Sequence, residues 1–144
     1  MNLTKYIISD IKEIIKIILK SLVGFFGIYI RQIIYSKLFL SDNKNFFISN
    51  NVTINSFKNI SIEQNTKIMQ NCSIYANNGK VTIKKNTAMN QNVLISAEGG
   101  EINIGKDVLV GPNTVIRSSN HKFSNKEIPI IEQGHSHGKI TIED

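Results

Sequence analysis

Glu101-Ile102-Asn103-Ile104-Gly105-Lys106-Asp107-Val108-Leu109-Val110-Gly111-Pro112-Asn113-Thr114-Val115-Ile116 is the third version of one pattern. Lys80-Val81-Thr82-Ile83 opens the second version and Asn59-Ile60-Ser61-Ile62 the first, an offset of 21 residues both times. Within each unit an aliphatic residue or Met recurs every six positions: Ile62, Ile68, Ile74; Ile83, Met89, Ile95; Ile104, Val110, Ile116. Three residues after the aliphatic, in the first two hexads, stands Asn or Asp: Asn65, Asn71, Asn86, Asn92, Asp107, Asn113. One position further stands Thr, Cys or Val: Thr66, Cys72, Thr87, Val93, Val108, Thr114.

Each position has a physical task. A six-residue period is too short for one long strand, so it must hold a short strand and a turn. Asn and Asp tolerate the left-handed backbone region that a sharp corner needs. The aliphatic residue points inward and stacks on its equivalent one unit away, across strands about 4.8 Å apart. The Thr, Cys or Val position lies near the narrow axis and has to be small. Three hexads per turn make a triangular coil. The residues beyond three hexads fall at Asn77-Asn78-Gly79 and Glu98-Gly99-Gly100, so one corner is looped out each time. Ile48, Val52 and Ile54 read as a degraded first coil, the capping unit expected at a solenoid end. The fold expected is all-β, a parallel β-helix over residues 41–144, preceded by an amphipathic and apolar α-helical segment over residues 1–40.

Val110-Gly111-Pro112-Asn113, Val115-Ile116 and Asn120-His121 resemble the hexapeptide-repeat sugar O-acetyltransferases, among them the galactoside and maltose types and the capsule and lipopolysaccharide types. The resemblance covers about residues 46–144 and is most specific over Ile102–His121. It implies a left-handed helix, against the usual right-handed crossover of parallel strands. It further implies a homotrimer with active sites between subunits and acetyl-CoA lying along the coils as acyl donor. The acceptor would be a sugar or polysaccharide hydroxyl in surface polysaccharide biosynthesis. In the family a Trp-Ile-Gly hexad and further coils follow the point where this sequence stops, and these supply much of the donor groove. The β-helix is therefore expected to be incomplete at its C-terminal end, and the 144-residue chain alone to be inactive.

After Ile116 the regular pattern stops, and it resumes at Lys139-Ile140-Thr141-Ile142. The looped-out corner has grown into a long arm over residues 117–138, which holds His121, His135 and His137. Long loops on a rigid scaffold tend to carry function. His121 matches the family's general base. Moving an acetyl group from a thioester to a hydroxyl requires removing the hydroxyl proton, which imidazole, with an ordinary pKa near ~6.5, does at neutral pH. The competing reading of His121 is a solvated loop histidine. Asn120 and Asn90 are the substrate-binding positions the resemblance implies, although Asn is common throughout this chain. Glu98, in the adjacent corner, is placed to touch the acceptor or orient a base. His135 and His137, one residue apart on a loop, are a poor match for the cross-strand histidines of zinc-binding relatives of this fold, so no metal is expected.

The net charge is +6, and residues 1–40 carry most of it: Lys5, Lys12, Lys16, Lys20, Arg31 and Lys37 against Asp10 and Glu13. A nucleic-acid binder would cluster basic and aromatic residues on its folded body, so no nucleic-acid partner is expected. Lys5, Ser9, Lys12, Glu13, Lys16 and Lys20 share one face of a helix. Isoleucines fill the rest, and Ser21–Ile30 is uncharged throughout. This uncharged stretch is well short of the ~20 residues of a membrane span. No cleavage site suited to a signal peptide follows it. Three arrangements compete: a helix lying in the inner leaflet of the cell membrane, which fits best, a helix packed against the body or a partner subunit, and a true span with Lys20 and Arg31 snorkelling. The first places the protein in the cytoplasm, peripheral to the membrane. A single cysteine, Cys72, forms no internal disulfide and agrees with a reducing compartment. Its small-residue repeat position favours packing over a nucleophilic role. A second functional class stays open beside the enzyme: a non-catalytic remnant or membrane-attached interaction module.

Overall fold

The computed structural model describes residues 3–41 and 43–144. Asp42 and the side chains of Leu3, Ser9 and Lys12 lie outside the described residues, Ser9 and Lys12 being members of the expected polar stripe. Among the described residues two helices, α1 (Leu3–Ser21) and α2 (Gly24–Tyr35), lead into fourteen short strands. The first coil holds β1 (Phe46–Ile48), β2 (Thr53–Asn55) and β3 (Ile60–Ile62). The second holds β4 (Thr66–Ile68), β5 (Ser73–Tyr75) and β6 (Lys80–Ile83), and the third β7 (Ala88–Met89), β8 (Leu94–Ser96) and β9 (Glu101–Ile104). The fourth has β10 (Leu109–Val110) and β11 (Val115–Arg117), then the arm strands β12 (Ser119–His121) and β13 (His135–His137), then β14 (Lys139–Ile142).

The strands stack into three parallel four-stranded faces, ordered β1-β4-β7-β10, β2-β5-β8-β11 and β3-β6-β9-β14. This is a left-handed parallel β-helix. Ile62 pairs with Ile83 and Ile83 with Ile104, so the three aliphatics of the repeat form one inward ladder. Ile68 and Met89 stack on the second face, and Ile74, Ile95 and Ile116 on the third. All but Ile116 are completely buried. The β14 register places Ile140 on Ile102 and Ile142 on Ile104, so the arm is an insertion within a coil that then resumes its place.

The corners explain the asparagines. Asn65, Asn71, Asn86, Asn92, Asp107 and Asn113 all have φ near 60°. A β-carbon costs about 1–2 kcal/mol there, least for Asn and Asp. Their amides also bond along the solenoid axis: Asn45 to Asn65 (2.8 Å), Asn65 to Asn86 (3.2 Å) and Asn86 to Asp107 (2.8 Å) at one corner. Asn51 to Asn71 (2.6 Å) and Asn92 to Asn113 (3.0 Å) do the same at the next. At the third, looped-out corner a β-carbon on Gly79 would overlap the Ala97 carbonyl oxygen, so the chain crosses there only as glycine. Residues 46–59 form a regular first coil that pairs in register with the second, at a spacing one residue shorter than the later repeats.

The helices close the first coil. Tyr35 and Phe39 are buried against Phe46 and Phe57, with Phe39–Phe46 ring centroids 5.5 Å apart and Tyr35–Phe57 5.0 Å. The Leu40 N–H donates to the Ile60 carbonyl and the Ser41 hydroxyl bonds the Ile62 main chain, covering the free edge of β3. Arg31, which sequence alone assigns to the basic boundary of an apolar run, turns inward and is 1% exposed. Its guanidinium donates to the carbonyls of Leu19 (2.9 Å), Leu22 (2.7 Å) and Ile48 (3.0 Å). The unsatisfied carbonyls at the end of α1 are thereby tied to the first coil. Lys20 also faces the body, donating to the Thr53 hydroxyl at 2.9 Å. Both side chains are thus engaged by the chain itself.

Candidate functional site

The arm leaves the third corner of the last coil and doubles back on itself. β12 and β13 pair antiparallel, with Ser119 opposite His137, Asn120 opposite Ser136 and His121 opposite His135. Cross-strand partners share a face, as do residues two apart along a strand. His121, His135 and His137 therefore lie on one face of the ribbon, and Asn120 and Ser136 on the other. The His121 and His135 rings are in contact, with centroids 4.2 Å apart, and the His135 and His137 rings are 6.4 Å apart. At the arm's tip, Gln133 bonds the main chain of Asn125 and Ile128 and closes the loop.

Below the ribbon lies the preceding coil's version of the same corner. The Glu98 carboxylate is held within the solenoid, accepting from the Asn77 amide (3.3 Å) and the Ser96 hydroxyl (3.3 Å). Its carbonyl oxygen lies 3.1 Å from Nδ1 of His137. Glu98 meets the arm through its backbone, and the histidine it orients is His137. That contact pairs positions 39 residues apart, and no local signal in the sequence announces it.

The predicted site residues are distributed unevenly. His121, Asn120 and Glu98 belong to one corner. The His121 ring is exposed, and among the described residues it makes no hydrogen bond; its main-chain N–H donates to Oδ1 of Asn120 (2.9 Å). Asn90 follows β7, at the corner between the first two faces. Its Oδ1 accepts from the Gln91 N–H (3.3 Å), and its carbonyl accepts from the Cys72 thiol (3.0 Å). Within one chain, Asn90 is not brought to the arm. Cys72 is fully buried, and burial pushes its thiol above the ordinary range.

A cavity of about 360 Å³ opens between the ribbon and β14, lined among others by Arg117, Ser119, Asn120, Ser136, His137 and Lys139. Lys139 is paired with Glu101 (3.4 Å) and Nε of Arg117 donates to the Ser119 hydroxyl (3.3 Å). The Asn103 amide, and then Lys139, hold the Glu101 carboxyl below its usual range. Among the described residues no group of three or more His, Cys, Asp or Glu is arranged to hold a metal ion.

No protein-family model matches the sequence, and no curated protein matches it. Among solved structures the chain is similar to that of a point mutant of AntD, an N-acyltransferase from Bacillus cereus, crystallised in complex with dTDP and coenzyme A. The identity is 21%, the TM-score 0.56, and the match covers 79% of this chain and 62% of that one. The chain thus spans less than two thirds of the length of AntD. At this identity the likeness speaks for the fold.

Proposed function

We propose that this chain is the β-helical part of an acyltransferase that moves an acetyl group from acetyl-CoA to a hydroxyl of a sugar, with His121 as general base. The observation that carries the reading is the arm itself. A regular solenoid interrupts one corner, presents three histidines on one face of a ribbon and then resumes register. AntD, which shares the fold, is an acyltransferase bound to coenzyme A and a nucleotide, in keeping with an acyl-CoA donor and a sugar-bearing acceptor. In the step, the imidazole takes the hydroxyl proton, the oxygen attacks the thioester carbonyl, the carbon–sulfur bond breaks, and the proton passes to the leaving thiolate. We further place three copies in the active assembly, in keeping with the outward-facing, exposed Leu109 and Val115.

Residues 1–40 belong, in this proposal, at the cytoplasmic face of a membrane. Ile7, Ile8, Ile11, Ile14, Ile15 and Ile18 of α1 and Phe25, Phe26 and Tyr29 of α2 are exposed, an apolar surface continuous enough to demand a partner. Among the described residues no helix is long and apolar enough to cross a membrane.

The test is acetyl transfer from acetyl-CoA by the protein to a panel of sugars. His121→Ala is expected to lower the rate by about 10²–10⁴-fold, the usual effect of losing a general base, with the thermal unfolding midpoint unchanged. Equal rates for the two proteins remove His121 from the mechanism. A wild type that binds neither acetyl-CoA nor sugar favours the non-catalytic interaction module instead.

A further inference from the structure

Every described side chain of α1 from Thr4 to Ile18 is exposed, and only Leu19 and Lys20 near its end are partly covered. Isoleucine is a middling helix former. Helices in proteins draw most of their stability from packing one apolar face, and the chain by itself leaves this face open.

The spacing of the isoleucines points to what covers it. Ile7, Ile11, Ile14 and Ile18 follow one another at steps of four, three and four residues. That is the alternation of the d and a positions of a heptad. Each of the four is 49–55% exposed. Ile8 and Ile15 fill the e position beside them, so the stripe is wider than a strict two-position seam. Isoleucine at both a and d disfavours a pair of strands and favours three or four. A membrane surface needs only an apolar face and is indifferent to heptad register.

The root of α1 lies where copies can meet. The Asn51 N–H donates to the Lys20 carbonyl (2.7 Å), and Nζ of Lys20 donates to Thr53 (2.9 Å). Asn51 belongs to the corner that continues through Asn71, Asn92 and Asn113. Leu109 and Val115, both well exposed, flank that same corner in the last coil. When these corners gather around an axis parallel to the solenoid, rotational symmetry carries the α1 roots together at one end, all in the same direction.

We infer that the α1 helices of three copies of this chain wind into a parallel coiled coil, with Ile7, Ile11, Ile14 and Ile18 as its core layers. Three rather than four follows the copy number placed in the active assembly above; the pairing of the stripes does not depend on acyl transfer. Phe25, Phe26 and Tyr29 lie on α2, outside the stripe, and stay available to a membrane.

The test reads thiols and mass rather than activity, so its outcome is separate from that of the acyl-transfer reading. Cys72, the only cysteine, is fully buried, so a cysteine introduced on α1 is the accessible thiol. In buffer without lipid, oxidised glutathione is expected to link chains carrying Ile14→Cys into covalent dimers, with one chain of each three left over. Chains carrying Lys16→Cys, at the outward f position, are expected to stay unlinked. Sedimentation of the wild type is expected to show trimers. Ile11→Asp places a carboxylate in a core layer and is expected to raise the dissociation concentration at least about tenfold. Ile11 is exposed in the single chain, so the solenoid does not depend on it. Phe25→Asp with Phe26→Asp is expected to leave the trimer intact. Equal linking of the two cysteine variants, complete linking of Ile14→Cys, or a trimer untouched by Ile11→Asp would each overturn the inference. A wild type that is monomeric in buffer and loses binding to anionic phospholipid vesicles on Ile11→Asp would overturn it too, and would give the stripe to the membrane.

Discussion

Single residues in this chain divide into those chosen by backbone geometry and those chosen by what surrounds them. Asn86 belongs to the first kind, with φ of 59° and amide bonds to Asn65 and Asp107. Asn86→Gly loses the ladder bonds and keeps the backbone, whereas Asn86→Ala loses the bonds and adds a strained β-carbon. The alanine variant should be the less stable of the two by about 1 kcal/mol, since strain outweighs the entropy cost of glycine at this φ. Chemical denaturation of the pair measures it, and an alanine variant as stable as the glycine variant would remove the strain argument. Cys72 belongs to the second kind. Its thiol is buried and donates to the Asn90 carbonyl, and burial raises its pKa, so thiolate is scarce at neutral pH. Alkylation should be negligible in the folded protein and fast in denaturant. Rapid labelling of the native chain would return Cys72 to the list of reactive groups.

At the scale of elements, the helical segment and the arm behave differently from the coils. α1 contains neither Gly nor Pro and spaces its polar residues at helical period, and α2 is helical despite Gly24 and Gly27 because Arg31 and Tyr35 anchor one face of it, yet much of the apolar surface of both is left exposed. Phe25 is 90% exposed and Phe26 69%. Deleting residues 1–40 would confuse membrane release with loss of the first coil's cover, because Tyr35 and Phe39 pack on Phe46 and Phe57. Phe25→Asp combined with Phe26→Asp changes only exposed rings. The double variant is expected to co-sediment with anionic vesicles at least tenfold less than wild type, with unchanged circular dichroism. Equal partitioning would exclude these rings from membrane contact. The charge that remains available for such contact is smaller than the sequence suggests, since Lys20 and Arg31 are engaged by the body and Lys16 is paired with Glu13 at 2.6 Å. The apolar rings carry more of the expected affinity.

For the molecule as a whole, Arg31 is the joint between helices and solenoid. One guanidinium closes three carbonyls from two structural units, and its stem is buried with it. Arg31→Met fills similar space and leaves those carbonyls without a donor. The loss should reach about 3 kcal/mol, because unsatisfied buried polar groups cost roughly 1–3 kcal/mol each and some will find water. The last turn of α1 should also lose amide protection. Urea unfolding and hydrogen exchange measure both, and a loss below about 1 kcal/mol would show that the joint is not built on Arg31.

The sequence by itself determined the solenoid. A left-handed corner, an inward aliphatic and a small axial residue are local demands repeated at a fixed spacing, and each leaves a letter at its own position. That is why Asn65, Ile83 and Thr87 could be assigned their tasks, and why the arm stands out as an interruption of the repeat. The first coil, at residues 46–59, was harder to read because its inward positions are filled partly by Phe46 and Phe57 and closed by Tyr35 and Phe39 from the helical segment. The tertiary structure decided what joins distant positions: the inward turn of Arg31, the separation of Asn90 from the arm, and the carbonyl of Glu98 beneath His137. Hydrogen bonds between a side chain and a remote main chain depend on where the backbone returns in space. A backbone carbonyl is the same in every residue, so no letter in the sequence can mark it as a partner.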